Sequence, residues 1–173
     1  PAVNTLRSLF LALDQDDLES AFRRHARELN GTVQVTGKRT IALDGKTLRG
    51  SFDHLNDRAA AHVLSAFASD AALILAHREV AGAPGEIAAA LTLITELGLT
   101  GVLFTADALH CQKEAFTRAA ATGNALLVRV KDNQPTLHDR LTGICARQQP
   151  FDSYETVDRR RHGRQEHRLI EVF

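Results

Sequence analysis

TIALDGKTLRG, residues 40–50, is the stretch on which the fold turns. Ile41-Ala42-Leu43 is a short apolar run that ends in Asp44, and Gly45, Lys46 and Arg49 follow the acid. Two readings compete. An apolar strand that delivers a carboxylate beside a glycine and cations suits a metal and phosphate site, because glycine permits close backbone approach and a hard divalent cation takes oxygen ligands. Asp-Gly is equally a strong hairpin signal, because both central residues of a type I′ turn need positive φ.

Working outward, residues 62–68 (HVLSAFA) and 71–80 (AALILAHREV) read as strands, and their short connections imply an antiparallel meander with 40–43. Pro84 and Gly85 break this pattern over 81–85. Ile87, Leu91, Ile94 and Leu97 then recur at helical spacing, predicting a helix over 86–97 that Gly98 ends. GVLFT (101–105) is a strand running into Ala106-Asp107; a helix over 112–122 ends at Gly123, and 125–130 forms another strand. Such alternation implies parallel, right-handed βαβ units. Leu137, Leu141 and Ile144 mark a further helix, and a strand is expected from Tyr154.

Upstream, residues 5–30 read as two helices. Leu6, Phe10 and Leu13 share a face of the first, and Asp14 to Asp17 offer caps for the second, which ends at Asn30-Gly31. Arg23, Arg24 and Arg27 turn away from its apolar residues Leu18, Phe22 and Leu29, as on a solvated helix face, with DNA contact as the alternative. The whole order is three meandering strands, then helix, strand, helix, strand, helix. It suits an α/β, ribonuclease-H-like fold, a mixed sheet flanked by helices in which the first strand lies beside the strand that follows the first crossover helix. The expected organisation is a short helical segment, 1–32, before a catalytic domain, 33–173.

The 173 residues balance 21 Lys+Arg against 21 Asp+Glu, so attraction to nucleic acid has to come from local clustering. Five arginines and two histidines between Arg159 and Arg168, against Glu166 alone, form such a cluster. Cys111 and Cys145 are far apart and lack CxxC spacing, which argues against a disulfide framework or a structural zinc and fits a reduced, cytoplasmic setting. No apolar run approaches the ~20 residues that span a bilayer, and no secretion signal is present, so no membrane is expected.

Two apolar strands, 41–43 and 102–104, each lead to an aspartate, Asp44 and Asp107. If these strands are parallel neighbours, both acids sit at one edge of the sheet. Paired carboxylates repel unless a cation holds them, which points to Mg²⁺, with Mn²⁺ as a substitute. Glu166 is the candidate third acid, amid His162, Arg164, His167 and Arg168, groups able to hold phosphates. Such a trio suits in-line displacement at phosphorus. The bland readings are a helix N-cap for Asp107 and a surface ion pair for Glu166. A dehalogenase-like phosphatase would need an aspartate nucleophile where Ala42 stands, and Cys111 does not face His110, its sequence neighbour, on a helix.

IALDGKTLRGS, HVLSAF, TADALHCQK, VKDNQPTL and HGRQEHR, in this order, closely resemble the ISAs1 family of bacterial insertion-sequence transposases. The resemblance implies a DDE transposase that cuts and joins DNA strands, with Asp44, Asp107 and Glu166 as the catalytic, metal-binding triad. It places Lys46, Arg49, Gln112, Lys131, Asn133, Gln134, His162 and Arg164 near the site, holding DNA phosphates or orienting the triad, beside Arg168 of the basic cluster. The implied partners are double-stranded DNA, as transposon ends and target, and a second protomer in a full-length homodimer. Family members are roughly twice this length, against ordinary domain sizes, which implies truncation at both ends. In the related YREK signature His162 stands where the arginine is expected and Phe173 where the lysine is expected. The alternative is a catalytically inactive remnant that only binds DNA.

Overall fold

The computed structural model describes residues 3–32, 37–51, 60–80, 82–159 and 165–173. It divides into two compact units, Pro1–Arg129 and Val130–Phe173.

In the first unit, α1 (Val3–Ala12) and α2 (Gln15–Thr32) meet at Asp14. The Asp14 carboxylate accepts hydrogen bonds from the backbone N–H of Asp16 and Asp17, both at 3.0 Å, and so caps α2 as its sequence foretells. No residue of α1 is buried. α2 buries Ala26, and the ring of Phe22 meets His77 edge-on at 5.2 Å. Arg23 does not join Arg24 and Arg27 in solvent. Its guanidinium donates to Glu19 at 2.7 Å and to Glu96 at 3.0 Å, which makes it a structural tie.

The sheet comprises β1 (Thr40–Thr47), β2 (His62–Ala68), β3 (Leu73–Val80), β4 (Leu103–Ala106) and β5 (Ala125–Val128), in the order β3-β2-β1-β4-β5. β1 is antiparallel to β2 and parallel to β4. β2–β3 is antiparallel and β4–β5 parallel. With α3 (Gly82–Glu96) and α4 (Lys113–Ala121) as the crossovers, this is the ribonuclease-H-like arrangement. The strand that follows the first crossover helix lies beside the first strand, as the element order requires.

Two local expectations are corrected. Asp44-Gly45 is not a hairpin turn: β1 runs on through both residues, pairing Asp44 with Ser65, Gly45 with Leu64 and Lys46 with Val63. The long register with β2 outweighs the local turn preference of the dipeptide. The meander does end at Val80, but the helix expected over 86–97 starts earlier, so Pro84 and Gly85 lie inside the start of α3. Proline is tolerated there because the first helical N–H groups have no intrahelical acceptor to lose.

Ile41, Leu43, Leu64, Leu75 and Phe104 from the strands pack with Ala89, Ala90, Leu93 and Ile94 of α3 and Ala119 of α4. The alanines let the helices approach the sheet closely. Asn124, between α4 and β5, is a buried polar clamp: its amide oxygen accepts from the Val102 N–H at 3.1 Å and its amide nitrogen donates to the Leu99 carbonyl at 2.8 Å.

In the second unit, α5 (Pro135–Cys145) starts with proline at its first position, where a missing N–H is harmless, and has no buried residue. β6 (Asp152–Arg159) and β7 (Gln165–Val172) pair antiparallel. Among the described residues no helix is long and apolar enough to cross a membrane.

Candidate active site: two carboxylates at one sheet edge

The last registered pair between β1 and β4 is Leu43 with Ala106. Asp44 and Asp107 are the next residues on each chain, so two parallel neighbours, spaced about 4.8 Å as strands are, deliver their acids side by side. Both are exposed. They line one shallow depression with Ala42, Phe67 and Thr105. Strand alternation explains the direction: Ile41 and Leu43 turn into the core, while Ala42 and Asp44 turn to the opposite face.

Asp107 has extended backbone (φ −75°, ψ 175°) and stands at the N-cap position of a 3-10 turn, Ala108–His110. Its side chain makes no capping hydrogen bond to that turn, so the position of a cap is filled without its bond. Lys46 is exposed and, two residues beyond Asp44 on β1, shares its face. Gln112 is the N-cap residue of α4. Arg49 lies in a 3-10 turn, Arg49–Ser51.

The remaining predicted residues belong to the second unit. Lys131, Asn133 and Gln134 precede α5, with Gln134 at its N-cap. Glu166 lies on β7 opposite Asp158, and its carboxylate accepts from Arg168 at 2.9 Å, the surface ion pair foreseen for it. That hydrogen bond raises the Arg168 pKa above its usual value. His162 and Arg164 lie outside the described residues. Among the described residues no group of three or more His, Cys, Asp and Glu is arranged to hold a metal ion.

A set of residues that the sequence did not single out sits behind the carboxylate pair. Glu86, in the early part of α3, approaches His62 Nε2 at 2.6 Å through one oxygen and His110 Nε2 at 3.2 Å through the other. His62 Nδ1 lies 2.9 Å from the Thr47 hydroxyl. A Cβ at Gly45 would fall 2.5 Å from the Glu86 carboxylate, so any larger residue there would have to push that side-chain end aside. His62 opens a strand, His110 sits within a motif and Glu86 follows a Pro-Gly pair. No periodicity links them, so no sequence signal was available. Cys111, next to His110, is buried, as expected for a packing thiol.

No protein-family model matches the chain. "Putative transposase YncI" of Escherichia coli K12 is 31% identical over 173 residues, covering 98% of this chain and 68% of that protein. The protein of the same name from Escherichia coli O157:H7 is also 31% identical, but the chain spans only 43% of its length. "H repeat-associated putative transposase YhhI" of Escherichia coli K12 is 34% identical over 136 residues, 76% of this chain and 36% of that one. Among solved structures, a piggyBac transposase synaptic complex with hairpin DNA aligns over 90% of this chain and 40% of its own, at 12% identity and a TM-score of 0.43. That score is too low to bear on the fold, which rests on the strand order.

Proposed function

The chain belongs to the family of bacterial transposases that includes YncI, and from that premise we propose that it forms part of the catalytic core of a DDE transposase of the ISAs1 type. The observation that carries the proposal is the register of β1 with β4, which sets Asp44 beside Asp107 at one sheet edge.

Two exposed carboxylates are a sufficient protein contribution for Mg²⁺, which keeps several waters and is commonly held by one or two carboxylates plus substrate phosphates. The donor set therefore fits this ion, or Mn²⁺. Bound there, the ion would supply positive charge against the developing charge at phosphorus and lower the pKa of an attacking water. Asp44 and Asp107 are the residues that would hold it. Lys46, on the same face, draws in the DNA backbone. In the cleavage, the water oxygen bonds to phosphorus as the bond to the 3′ oxygen breaks, and the proton released from water is balanced by one taken up at the 3′ oxygen. Glu166 is the third acid by motif; Lys131, Asn133, Gln134, His162 and Arg164 are assigned to DNA phosphates or to orienting the triad on the same basis, and Arg168 to DNA phosphates as part of the basic cluster.

The test is nicking of linear duplex DNA with Mg²⁺ or Mn²⁺. Asp44→Ala and Asp107→Ala are each expected to lower the rate at least about 100-fold, the scale on which one group leaves a preorganised site, and Glu166→Gln tests the third position. The second reading, a remnant that only binds DNA, draws on the Glu166–Arg168 ion pair, which engages the third acid on its own strand. Metal-independent DNA binding without cleavage, in wild type and Asp44→Ala alike, would establish it and sink the enzymatic proposal.

A further inference from the structure

Glu86 makes no contribution to the depression that Asp44 and Asp107 line, yet its carboxylate is tied to the segments that present both. Along β1, Gly45 falls on the core-facing side with Ile41 and Leu43, so the Glu86 carboxylate packs against the opposite face of the strand from the Asp44 side chain. One oxygen meets His62, which pairs with Thr47 at the end of β1 both in register and through the Thr47 hydroxyl. The other meets His110, whose backbone N–H donates to the Asp107 carbonyl at 3.0 Å. Glu86 thus lies against Gly45 of β1 and bonds to His110 of the turn that follows Asp107.

In every protonation pattern that fits these contacts with an ionised Glu86, the imidazole Nε2–H groups donate to the carboxylate. With the Thr47 hydroxyl donating to His62 Nδ1, the His62 Nε2–H donates to Glu86; His110 Nε2–H donates to the second oxygen. A carboxylate offers two acceptors and no donor, which matches two imidazole donors. A glutamine would turn one acceptor into a donor, so one histidine must either change tautomer to accept from it or lose its hydrogen bond. Because the carboxylate is largely buried, either change alters a contact that few waters reach.

We propose that Glu86 is a positioning residue that fixes the Asp44 strand end relative to the Asp107 turn, and so sets the geometry in which the two acids hold a divalent ion. The proposal rests on the active-site reading above. Its consequence is that an intact Asp44–Asp107 pair loses metal affinity when the groups behind it are loosened, as happens when the groups that orient metal ligands are altered.

Two routes perturb the same contact. Glu86→Gln removes the double acceptor. Gly45→Ala, allowed by a backbone φ that is not positive, inserts a methyl group where the carboxylate lies. Glu86→Gln is expected to raise the Mn²⁺ concentration for half-maximal DNA nicking about 10- to 100-fold, with metal-free DNA affinity unchanged. It is also expected to speed amide hydrogen exchange at residues 45–47 and 108–111 above the rest of the sheet. Gly45→Ala should lower the melting temperature in wild type and much less in a Glu86→Ala background, because the two share one contact. An unchanged Mn²⁺ requirement in a cleaving enzyme overturns the proposal. So do wild-type exchange at both segments, or an equal Gly45→Ala effect in both backgrounds. If the wild-type chain does not cleave, the active-site reading falls, while exchange and the mutant cycle still decide whether Glu86 joins the two segments.

Discussion

Asp44 and Asp107 in the first unit, and Glu166 in the second, are acids of the same kind held by different scaffolds. The pair stands at the ends of β1 and β4, whose inward residues Ile41 and Phe104 are fully buried in one cluster with Leu93 and Ile94 of α3. A one-residue slip of β1 would turn Ile41 and Leu43 to solvent, so their register, and with it the position of Asp44, is strongly specified. Glu166 stands on a two-stranded hairpin in which Tyr154, Leu169 and Ile170 are all more than half exposed. A slip there exchanges one exposed face for another, and a two-stranded sheet is only marginally stable alone. The contrast teaches that an acid inherits the stiffness of the core beneath its strand.

The sharpest way to break the comparison is to empty each region in turn. Phe104→Ala is expected to destabilise the protein by about 3–5 kcal/mol in urea unfolding, whereas Leu169→Ala should fall below about 1 kcal/mol; equal losses would show that the hairpin is anchored as firmly as the sheet. Next in size is Asn124→Ala, which leaves the Val102 N–H and the Leu99 carbonyl without their partner and should cost about 1–3 kcal/mol. A neutral result would mean that the β4 entry is held by packing alone.

The smallest effect is electrostatic. Burial is the largest single influence on Glu96 and pushes its pKa up, but hydrogen bonds and charge from Arg23 and Arg78 together outweigh it, so the group titrates below its usual range. A carboxyl with a depressed folded pKa adds stability above its unfolded pKa, about 4.3 for glutamate, and loses it as pH falls through the folded value. Glu96→Gln should therefore lower the urea midpoint near pH 7, with the gap closing below about pH 4. For Glu166→Gln, on the exposed hairpin, no shift of that midpoint is expected at either pH. A constant Glu96 gap across this range would assign the effect to packing.

Much of the architecture was legible in the chain. Short apolar runs marked β1 and β2, helical spacing marked α3, and Gly98 and Gly123 marked stops. Gly98 and Gly123 do carry positive φ. The ends of elements were less legible. Asp44-Gly45 resembles a turn because the hairpin preference is a property of two residues, while the strand that overrides it is held by partners from Val63 to Ser65. Arg23 looks like one of three solvated arginines because Glu96 approaches it only across the folded layer.

By itself the sequence determined the order of strands and helices and hence the neighbours in the sheet, since crossover handedness and side-chain periodicity are local, chiral properties of the backbone. It also placed an acid after each of two buried strands. Only the tertiary structure decided that Gly45 is there for contact rather than for turning, and that Glu86 joins His62 to His110. Those residues lie 24 positions apart on either side, and a hydrogen bond between them exists only once α3 has packed against the closed sheet.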